Sequence, residues 1–381
     1  MINFDNGSTS FPKAPGVGKV MADFIEKGAF NINRGNYEGS YNVELEVLEC
    51  RERLARLFGC KHSKNVIFTP NITYSLNMVL KGVLKKGDHI ITSSMEHNAV
   101  MRPLTQLKEQ GVSFDLLQAD EEGSIKASDI NELIKDNTKA VVMLQASNVC
   151  GTIMPIQEIG QICRERNLLF ILDTAQSAGD LPINMEEEGI DFLTFTGHKA
   201  LLGPQGIGGF MLSKKGEKEI EPLISGGTGS FSNLLQMPEI LPDRFESGTL
   251  NLPGILGLNK ALEYLEKRGI RAIHQEKMNL TKQFLEGLKE IPAVRIVGKK
   301  SIAGRGAVVS LDFKGRDNAR VAYQLESEYQ ILTRVGLHCA PMAHKSLKTF
   351  PEGTVRFSFG AFNQEEEVLT CLKAIREIVS L

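Results

Sequence analysis

The sequence predicts an α/β protein whose mainly parallel sheet is covered by helices on both faces, followed by a smaller α+β domain. Three features of the 381-residue chain lead to this expectation. Short, almost continuously apolar runs indicate strands that are buried on both faces, as in a parallel sheet. Segments with a helical spacing of apolar residues alternate with these runs. Beyond about residue 250, a long helical pattern and then alternating strands replace this order.

Seven apolar runs form the predicted sheet. The first, VIF at residues 66–68, enters a turn at Thr69-Pro70-Asn71 that opens a helix. The others lie at residues 88–92 (DHIIT), 112–118 (VSFDLLQ), 139–147 (KAVVMLQAS), 167–173 (NLLFILD), 191–197 (DFLTFTG) and 206–212 (GIGGFML). Helical spacing is also found at residues 42–58, 128–136 and 156–166.

The second predicted domain has a different order of helices and strands. Its predicted elements are a long helical pattern at 254–290, strands at 294–298 and 307–313, a helix at 317–329, and a strand from 354 followed by a closing helix. Because a chain of this length normally forms about two domains, we expect a large domain at 1–255 and a small one at 256–381. The N-terminal segment is expected to pack on the small domain.

Composition excludes several classes of protein. The formal net charge of -2 provides no electrostatic footprint for nucleic acid or an anionic membrane, so neither partner is expected. No apolar run approaches the ~20 residues that span a bilayer, and the N-terminus lacks a signal pattern, which leads us to expect a cytoplasmic protein. The six cysteines are scattered without a CxxC pair. A zinc site or a disulfide framework is therefore not expected, and we predict no metal.

Three residues that could carry chemistry follow predicted strands. His97 comes after DHIIT, Asp173 ends NLLFILD, and Lys199 comes after DFLTFTG. Ligands of doubly wound sheets bind beyond the carboxyl ends of the strands, so these side chains are candidates for one site. The alternatives are that Asp173 caps a helix and that Lys199 is a solvated lysine in a loop.

Pyridoxal phosphate requires this combination of residue types. The cofactor needs a lysine for its aldehyde, an acid beside its pyridinium nitrogen, a flat side chain over its ring and donors for its phosphate. Lys199, Asp173 and His97 match the first three needs. Candidate phosphate donors are Thr196 and His198 beside the lysine. Thr73 and nearby backbone amides are further candidates, because the turn PNIT opens a helix and helix N-termini bind phosphate.

Several segments then reveal a resemblance. The motifs are FDNGSTSFP, ILDTAQSAG, TGHKALLGPQGIGG, RFESGTLN, RVGLHCAP and TVRFSFGAFN, in this order over nearly the whole chain. They resemble those of the cysteine desulfurase and selenocysteine lyase family, within the class V aminotransferase superfamily and pyridoxal-phosphate fold type I. The resemblance implies a cofactor-dependent homodimer that acts on a small amino acid.

The resemblance also assigns residues. Lys199 matches the lysine that bonds to the cofactor, Asp173 the acid at the ring nitrogen, His97 the stacking histidine and Gln176 the partner of the phenolic oxygen. The matching phosphate contacts are Ile72 (through its amide), Thr73, Thr196, His198 and, donated across a dimer interface, Thr249. Asn148 and Arg356 match the binders of the substrate carboxylate, and Arg334 matches an arginine near the site mouth. Cys339 matches the cysteine that takes sulfur from the substrate.

The sequence departs from the family pattern at four places, one of which is the segment APMAHKSLKTFPEG at residues 340–353, after Cys339. The phosphate turn reads Asn71-Ile72-Thr73-Tyr74 instead of a Gly-Thr-Thr-Glu-like run, and Leu337-His338-Cys339 replaces His-His-Cys. Cys150 stands where an aliphatic residue is common, and we interpret it as a packing residue. These changes affect the substrate and the sulfur acceptor more than the cofactor.

The expected activity is that of a cysteine desulfurase, which converts L-cysteine to L-alanine and passes the sulfur to Cys339 as a persulfide, for a possible acceptor protein. A selenocysteine lyase acting on L-selenocysteine, a cysteine β-lyase or an aminotransferase would use the same cofactor residues. A non-catalytic sulfur-relay partner that has kept the fold is the remaining alternative.

Overall fold

The protein is described from a computed structural model that covers residues 1–28, 30–32, 37–231 and 233–380. Within that part, two sheets and a short two-stranded pair organise the chain. No helix in these ranges is long and apolar enough to cross a membrane.

The large sheet has seven strands in the order β2-β8-β7-β6-β5-β3-β4. These strands are β2 (Val66–Thr69), β3 (His89–Ser93), β4 (Ser113–Leu117), β5 (Thr138–Leu144), β6 (Leu169–Asp173), β7 (Phe192–Thr196) and β8 (Gly208–Leu212). Among the described strands of this sheet, β8 alone is reversed, and it pairs antiparallel with both β2 and β7. The prediction of a mainly parallel sheet is therefore confirmed, with one reversed strand.

Helices cover both faces of this sheet. Those before and within the sheet are α1 (Val17–Lys27), α2 (Glu38–Leu57), α3 (Ile72–Val83), α4 (Asn98–Glu109), α5 (Ile130–Leu133), α6 (Ile156–Glu165), α7 (Met185–Glu188) and α8 (Lys214–Glu219). Successive strand residues point to opposite faces. In β6, Phe170 and Leu172 join the apolar cluster beneath α2 and α6, whereas Leu169 and Ile171 join the cluster beneath α3 and α4.

The small sheet is antiparallel, with the strand order β12-β13-β10-β9. Its strands are β9 (Val294–Val297), β10 (Val308–Phe313), β12 (Arg334–Gly336) and β13 (Thr354–Ser358). The remaining helices are α9 (Leu252–Arg268), α10 (Ile270–Leu288), α11 (Asn318–Tyr329), α12 (Pro341–Ser346) and α13 (Glu365–Ser380). The N-terminal strand β1 (Ile2–Asn3) pairs in parallel with β11 (Ile331–Leu332), and Phe4 packs in the apolar cluster of the small sheet.

One detail differs from the sequence expectation, and the position of the domain boundary stays a prediction. The helical pattern at 254–290 is two helices, because Gly269 adopts a positive φ of 80° that ends α9. The boundary expected between residues 255 and 256 lies inside α9, whose buried side chains belong to the cluster of the large sheet. We propose that the boundary lies at Gly269, since α10 carries Met278 and Phe284 into the cluster of the small sheet.

Candidate active site

An open cleft with an empty volume of about 1220 Å³ collects most of the predicted site residues. It lies beyond the carboxyl end of β7, and the segment between β12 and α12 forms another wall. The predicted site residues in its walls are Ile72, Thr73, His97, Asn148, Gln176, Thr196, His198, Lys199, Arg334, Cys339 and Arg356.

Lys199 lies in the turn that follows β7 and is half-buried. Burial lowers the pKa of its amine to about 8, and the positive charge of Arg356 acts in the same direction. The carboxylate of Asp173 opposes both effects. The amine is therefore neutral much more often near pH 7 than that of a free lysine.

Asp173 ends β6 and is 4% exposed. Its Oδ1 accepts a hydrogen bond from the amide of Ala175 at 2.8 Å. Asp173 therefore caps a turn, whereas the alternative interpretation of the sequence was that it caps a helix. Burial raises the pKa of this carboxyl, and both the Ala175 amide and Lys199 counteract that effect. Asp173 interacts with Lys199 electrostatically, although it is not part of the cleft wall itself.

His97 is the N-cap residue of α4. Its Nδ1 accepts a hydrogen bond from the amide of Ala99 at 3.0 Å, so the neutral ring carries its proton on Nε2. Burial, with the positive charges of Lys199 and Arg334, lowers the pKa of the ring to about 4. The cleft therefore contains a neutral, flat side chain with a fixed tautomer.

Donors for a phosphate group come from two chain segments. Thr196 and His198 follow β7, while Ile72 and Thr73 begin α3, whose first amides have no partner within the helix. Thr196 Oγ1 and His198 Nδ1 are buried, and neither atom has a hydrogen-bond partner among the described residues. Buried polar atoms of this kind normally find a partner, so these residues fit the phosphate of pyridoxal phosphate.

Arg356 on β13 is 2% exposed and is already held by the protein. Its Nη1 donates to the carbonyl of Asn148 at 3.0 Å, and its Nη2 donates to Asp5 Oδ1 at 2.8 Å. The Asn148 amide donates to the carbonyl of His338 at 2.7 Å. Arg356 Nε and Asn148 Oδ1 have no partner among the described residues. A guanidinium fixed in this way can receive a carboxylate as a charge-assisted pair.

Cys339 lies between β12 and α12, and it is exposed. His338 and Cys339 have consecutive positive φ angles of 48° and 57°, and the carbonyl of Cys339 accepts the amide of Asn98 at 2.8 Å. Arg334 Nη2 lies 3.8 Å from Cys339 Sγ. The thiol is thus held in the cleft beside a cation and remains accessible to solvent.

Of the two remaining predicted cofactor contacts, Gln176 lies in the cleft and Thr249 does not. Gln176 lies in the cleft, and its Nε2 donates to the carbonyl of Gly7 at 3.0 Å. Thr249 is exposed and lines a separate groove with Gly248 and Leu250, so a single chain does not bring it to the cleft.

Sequence reasoning missed four residues around the cleft. They are Asp5 and Ser8, which contact the arginines, Lys13, which donates to the carbonyl of His198 at 2.8 Å, and Glu96, which is fully buried next to His97. The opening FDNGSTSFP, one of the segments that carry the resemblance, contains Asp5 and Ser8, and Lys13 follows it directly. A signal was present in Glu96, because a carboxyl three residues after a buried apolar strand is itself a candidate for burial, and a buried carboxyl needs a partner.

Two further residues lie away from the cleft wall. Cys150 is buried, and its Sγ lies 3.2 Å from Thr152 Oγ1. His344 is fully buried, its Nδ1 is paired with Thr349 Oγ1 at 2.7 Å, and it does not line the cleft.

The fold and the cleft together define a member of the class-V aminotransferase family, to which this chain belongs. The family profile matches residues 2–370. A probable cysteine desulfurase of Pyrococcus abyssi is 34% identical over 388 residues, which cover 100% of this chain and 94% of the relative. The cysteine desulfurase IscS of Vibrio campbellii is 29% identical, with 98% of this chain and 91% of the relative covered.

Solved structures agree with these relatives. The apo structure of cysteine desulfurase from Thermococcus onnurineus NA1 matches with a TM-score of 0.93 and 33% identity, covering 100% of this chain and 94% of that chain. The cysteine desulfurase CsdA (S-sulfonic acid) from Escherichia coli matches with a TM-score of 0.88 and 26% identity, covering 99% and 94%. The resemblance and the fold type predicted from the sequence are confirmed.

Proposed function

We propose that this protein is a pyridoxal-phosphate-dependent cysteine desulfurase that converts L-cysteine to L-alanine and receives the sulfur on Cys339. The observation that carries the proposal is that an exposed thiol shares one cleft with Lys199 and with the buried Arg356. The names of the relatives support the same activity.

The unpartnered Thr196 Oγ1 and His198 Nδ1 support a bound pyridoxal phosphate, with Thr73 and the amide of Ile72 on the facing helix start. When bound, the cofactor supplies a ring that accepts the electrons left as the substrate Cα loses its proton. Asp173 would hold a proton at the ring nitrogen, His97 would lie against the ring and Gln176 would bind its phenolic oxygen.

Lys199 would move the proton at the substrate Cα. A general base works best when its pKa is near the working pH, and burial brings the amine to about 8. Arg356 would hold the substrate carboxylate, which fixes the Cα relative to Lys199. One N–H of the Asn148 amide donates to the carbonyl of His338 at 2.7 Å, and the second N–H of the same group would donate to the substrate carboxylate.

Cys339 would act as the sulfur acceptor. Its thiolate attacks the sulfur of L-cysteine, the new bond is S–S, and the bond that breaks joins that sulfur to Cβ. A proton returned to the carbon gives L-alanine, so cysteine plus enzyme thiol becomes alanine plus enzyme persulfide, with all atoms balanced. Because Cys339 is exposed, an acceptor protein or a small thiol can reach the persulfide.

The test is an assay with L-cysteine, with and without a reductant, in which alanine, pyruvate and sulfide are quantified. Cys339→Ala should lose alanine and sulfide formation while keeping the absorbance of the bound cofactor. Cys60→Ala is the matched control, because Cys60 is half-buried and lies in a separate groove. Pyruvate instead of alanine would indicate a β-lyase, and full activity in Cys339→Ala would refute the role of this thiol.

The same assay tests the remaining alternatives. L-Selenocysteine turned over in strong preference to L-cysteine would indicate a selenocysteine lyase, and a requirement for a keto acid would indicate an aminotransferase. Purified protein that binds no pyridoxal phosphate would indicate a non-catalytic sulfur-relay partner.

We further propose a homodimer in which Thr249 reaches the phosphate site of the partner. Thr249 is exposed outside the cleft, and the preceding segment exposes large apolar side chains, including Leu234, Leu235 and Ile240. Burying such side chains favours association. Thr249→Val should weaken cofactor binding, and mixing it with Lys199→Ala should restore one complete site per heterodimer. Sedimentation as a monomer, or no restoration on mixing, would refute this arrangement.

A further inference from the structure

Ser8 joins the two arginines of the cleft. Its hydroxyl accepts a hydrogen bond from Arg356 Nη2 at 2.9 Å and another from Arg334 Nη1 at 2.9 Å. It also donates to Asp5 Oδ1 at 2.7 Å. A serine hydroxyl has one proton and two acceptor sites, so its hydrogen-bonding capacity is fully used.

The need for such a bridge follows from the strand register. Arg334 on β12 lies directly opposite Arg356 on β13, and two like charges opposite each other in an antiparallel pair are destabilising. Asp5 offsets one of the two charges through its ion pair with Arg356. Arg334 has no such ion pair with a carboxylate among the described residues, so Ser8 is the group that connects it to the cluster.

The connection continues to the thiol. Arg334 offers Nη1 to Ser8 and has Nη2 3.8 Å from Cys339 Sγ. Arg356 is fixed independently, by Asp5 and by the carbonyl of Asn148, and is fully enclosed. Arg334 is only half-buried, so loss of the Ser8 contact would release its guanidinium toward solvent.

We propose that Ser8 is a positioning residue that holds Arg334 between the carboxylate subsite at Arg356 and the sulfur of Cys339. Through this bridge, the group that holds the substrate carboxylate and the group that takes its sulfur share one hydrogen-bonded path. The inference rests on the proposed function for the roles of Arg356 and Cys339, but the placement of Arg334 can be measured without turnover.

A purely structural role for Ser8 predicts a different result. The amide of Ser8 donates to the carbonyl of Asp5 at 3.1 Å, and this turn contact is independent of the side chain. Ser8→Ala therefore keeps the turn and removes only the hydroxyl bridge. If the hydroxyl merely stabilised the turn, its loss would lower the melting temperature without changing the charge near Cys339.

The experiment compares how fast Cys339 reacts with iodoacetate, which is anionic, and with iodoacetamide, which is neutral. Both reactions need the thiolate, so the ratio of the two rates reports the positive charge beside the sulfur. The charged or titratable groups that face this part of the cleft are Asp5, His97, His198, Lys199, Arg334, His338 and Arg356. Rates are taken on the cofactor-loaded protein from the mass of the Cys339 peptide, because Cys60 is also partly accessible.

The reference thiol is 2-mercaptoethanol, which has no neighbouring cation. In the wild type, we expect the ratio of the iodoacetate rate to the iodoacetamide rate at Cys339 to be higher than the same ratio for 2-mercaptoethanol. Ser8→Ala should lower the ratio at least threefold, Arg334→Gln should lower it equally, and the double variant should show no additional fall. Ser327→Ala is the control, since its hydroxyl binds the carbonyl of Tyr323 on the exposed α11 and should leave the ratio unchanged. Ser8→Ala should also raise the KM for L-cysteine several-fold.

A ratio in Ser8→Ala that falls by less than about threefold from that of the wild type would overturn the proposal. A lowered ratio in Ser8→Ala that falls again in the double variant would also overturn it, because Ser8 would then act independently of Arg334. Failure of the proposed function is distinguishable from both results, since the wild type would then form no alanine while Ser8→Ala and Arg334→Gln would still show the lowered ratio.

Discussion

The amine of Lys199 provides a direct test of the electrostatics of the cleft. Burial and the charge of Arg356 lower its pKa to about 8, whereas Asp173 acts in the opposite direction. Two substitutions should therefore move this pKa in opposite directions. Arg356→Gln removes a positive charge and should raise the pKa, and Asp173→Asn removes a negative charge and should lower it.

The size of the effect follows from the pKa. With a pKa of about 8, about 9% of the Lys199 amine is neutral at pH 7, compared with about 0.03% for an ordinary lysine with a pKa near 10.5. The cleft therefore increases the reactive fraction about 300-fold at this pH. The gain over an ordinary lysine should shrink as the pH rises above about 8, because the Lys199 amine is then mostly neutral.

The assay is the rate at which cofactor-free protein develops the absorbance of bound pyridoxal phosphate between pH 6 and pH 9.5. A small-molecule amine measured in the same cofactor solutions corrects for the titration of pyridoxal phosphate itself. Lys199→Ala should show no covalent phase. The wild type should have a midpoint near pH 8, with a higher midpoint in Arg356→Gln and a lower one in Asp173→Asn.

A wild-type rate that still rises steeply above pH 9.5 would show that the amine is not perturbed. Shifts of both variants in the same direction would show that local charge does not set the pKa of Lys199. Either result would refute the reasoning, because the structure gives the two neighbours opposite effects.

Two further predictions concern buried carboxyl groups. Glu246 forms a buried two-point pair with Arg51 at 2.8 and 2.6 Å, and Glu246→Gln should lower the free energy of unfolding by about 3–5 kcal/mol in urea titrations. The exposed Glu239→Gln should change it by less than ~0.5 kcal/mol, and equal effects would contradict the prediction. Burial raises the pKa of Glu96 to about 8 from its ordinary 4.5. The folded state therefore holds this proton more tightly, and the associated stability is present below about pH 4.5 and is lost as the pH rises through about 8. Glu96→Gln should lose less unfolding free energy than the wild type between pH 5 and pH 8, and an unchanged pH dependence would argue against a buried neutral carboxyl.

The positions of most strands in the large sheet are predictable from the sequence, because each strand coincides with a short apolar run. The run LFILD gives β6 directly, and its alternation places Phe170 and Ile171 in different clusters on opposite faces. The direction of β8 was not predictable, since an apolar strand such as GGFML carries no information about which way it runs. The break between α9 and α10 at Gly269 was not predictable either, because the helical spacing of apolar residues continues on both sides of this single glycine.

The candidate site was predictable where residues follow strands. His97 and Lys199 occupy the carboxyl ends of strands, so the topology of an α/β sheet brings them to one edge. The contacts of Asp5 and Ser8 were not accessible from local patterns, because their partner Arg356 is about 350 residues away along the chain. Thr249 cannot be placed by a single chain, since its predicted partner site would belong to a second copy.

The N-terminal segment at residues 5–14 connects both halves of the cleft. At one end Asp5 binds Arg356 on the small sheet. At the other, the amide of Ser10 and Lys13 Nζ both donate to the carbonyl of His198, at 2.9 and 2.8 Å, directly before Lys199. One short segment thus fixes the distance between the group proposed to hold the substrate carboxylate and the amine proposed to act at its Cα. A proton transfer of this kind depends on geometry at the scale of a hydrogen bond. The opening residues, which carry no strand or helix pattern in the sequence, are therefore part of the framework of the proposed active site.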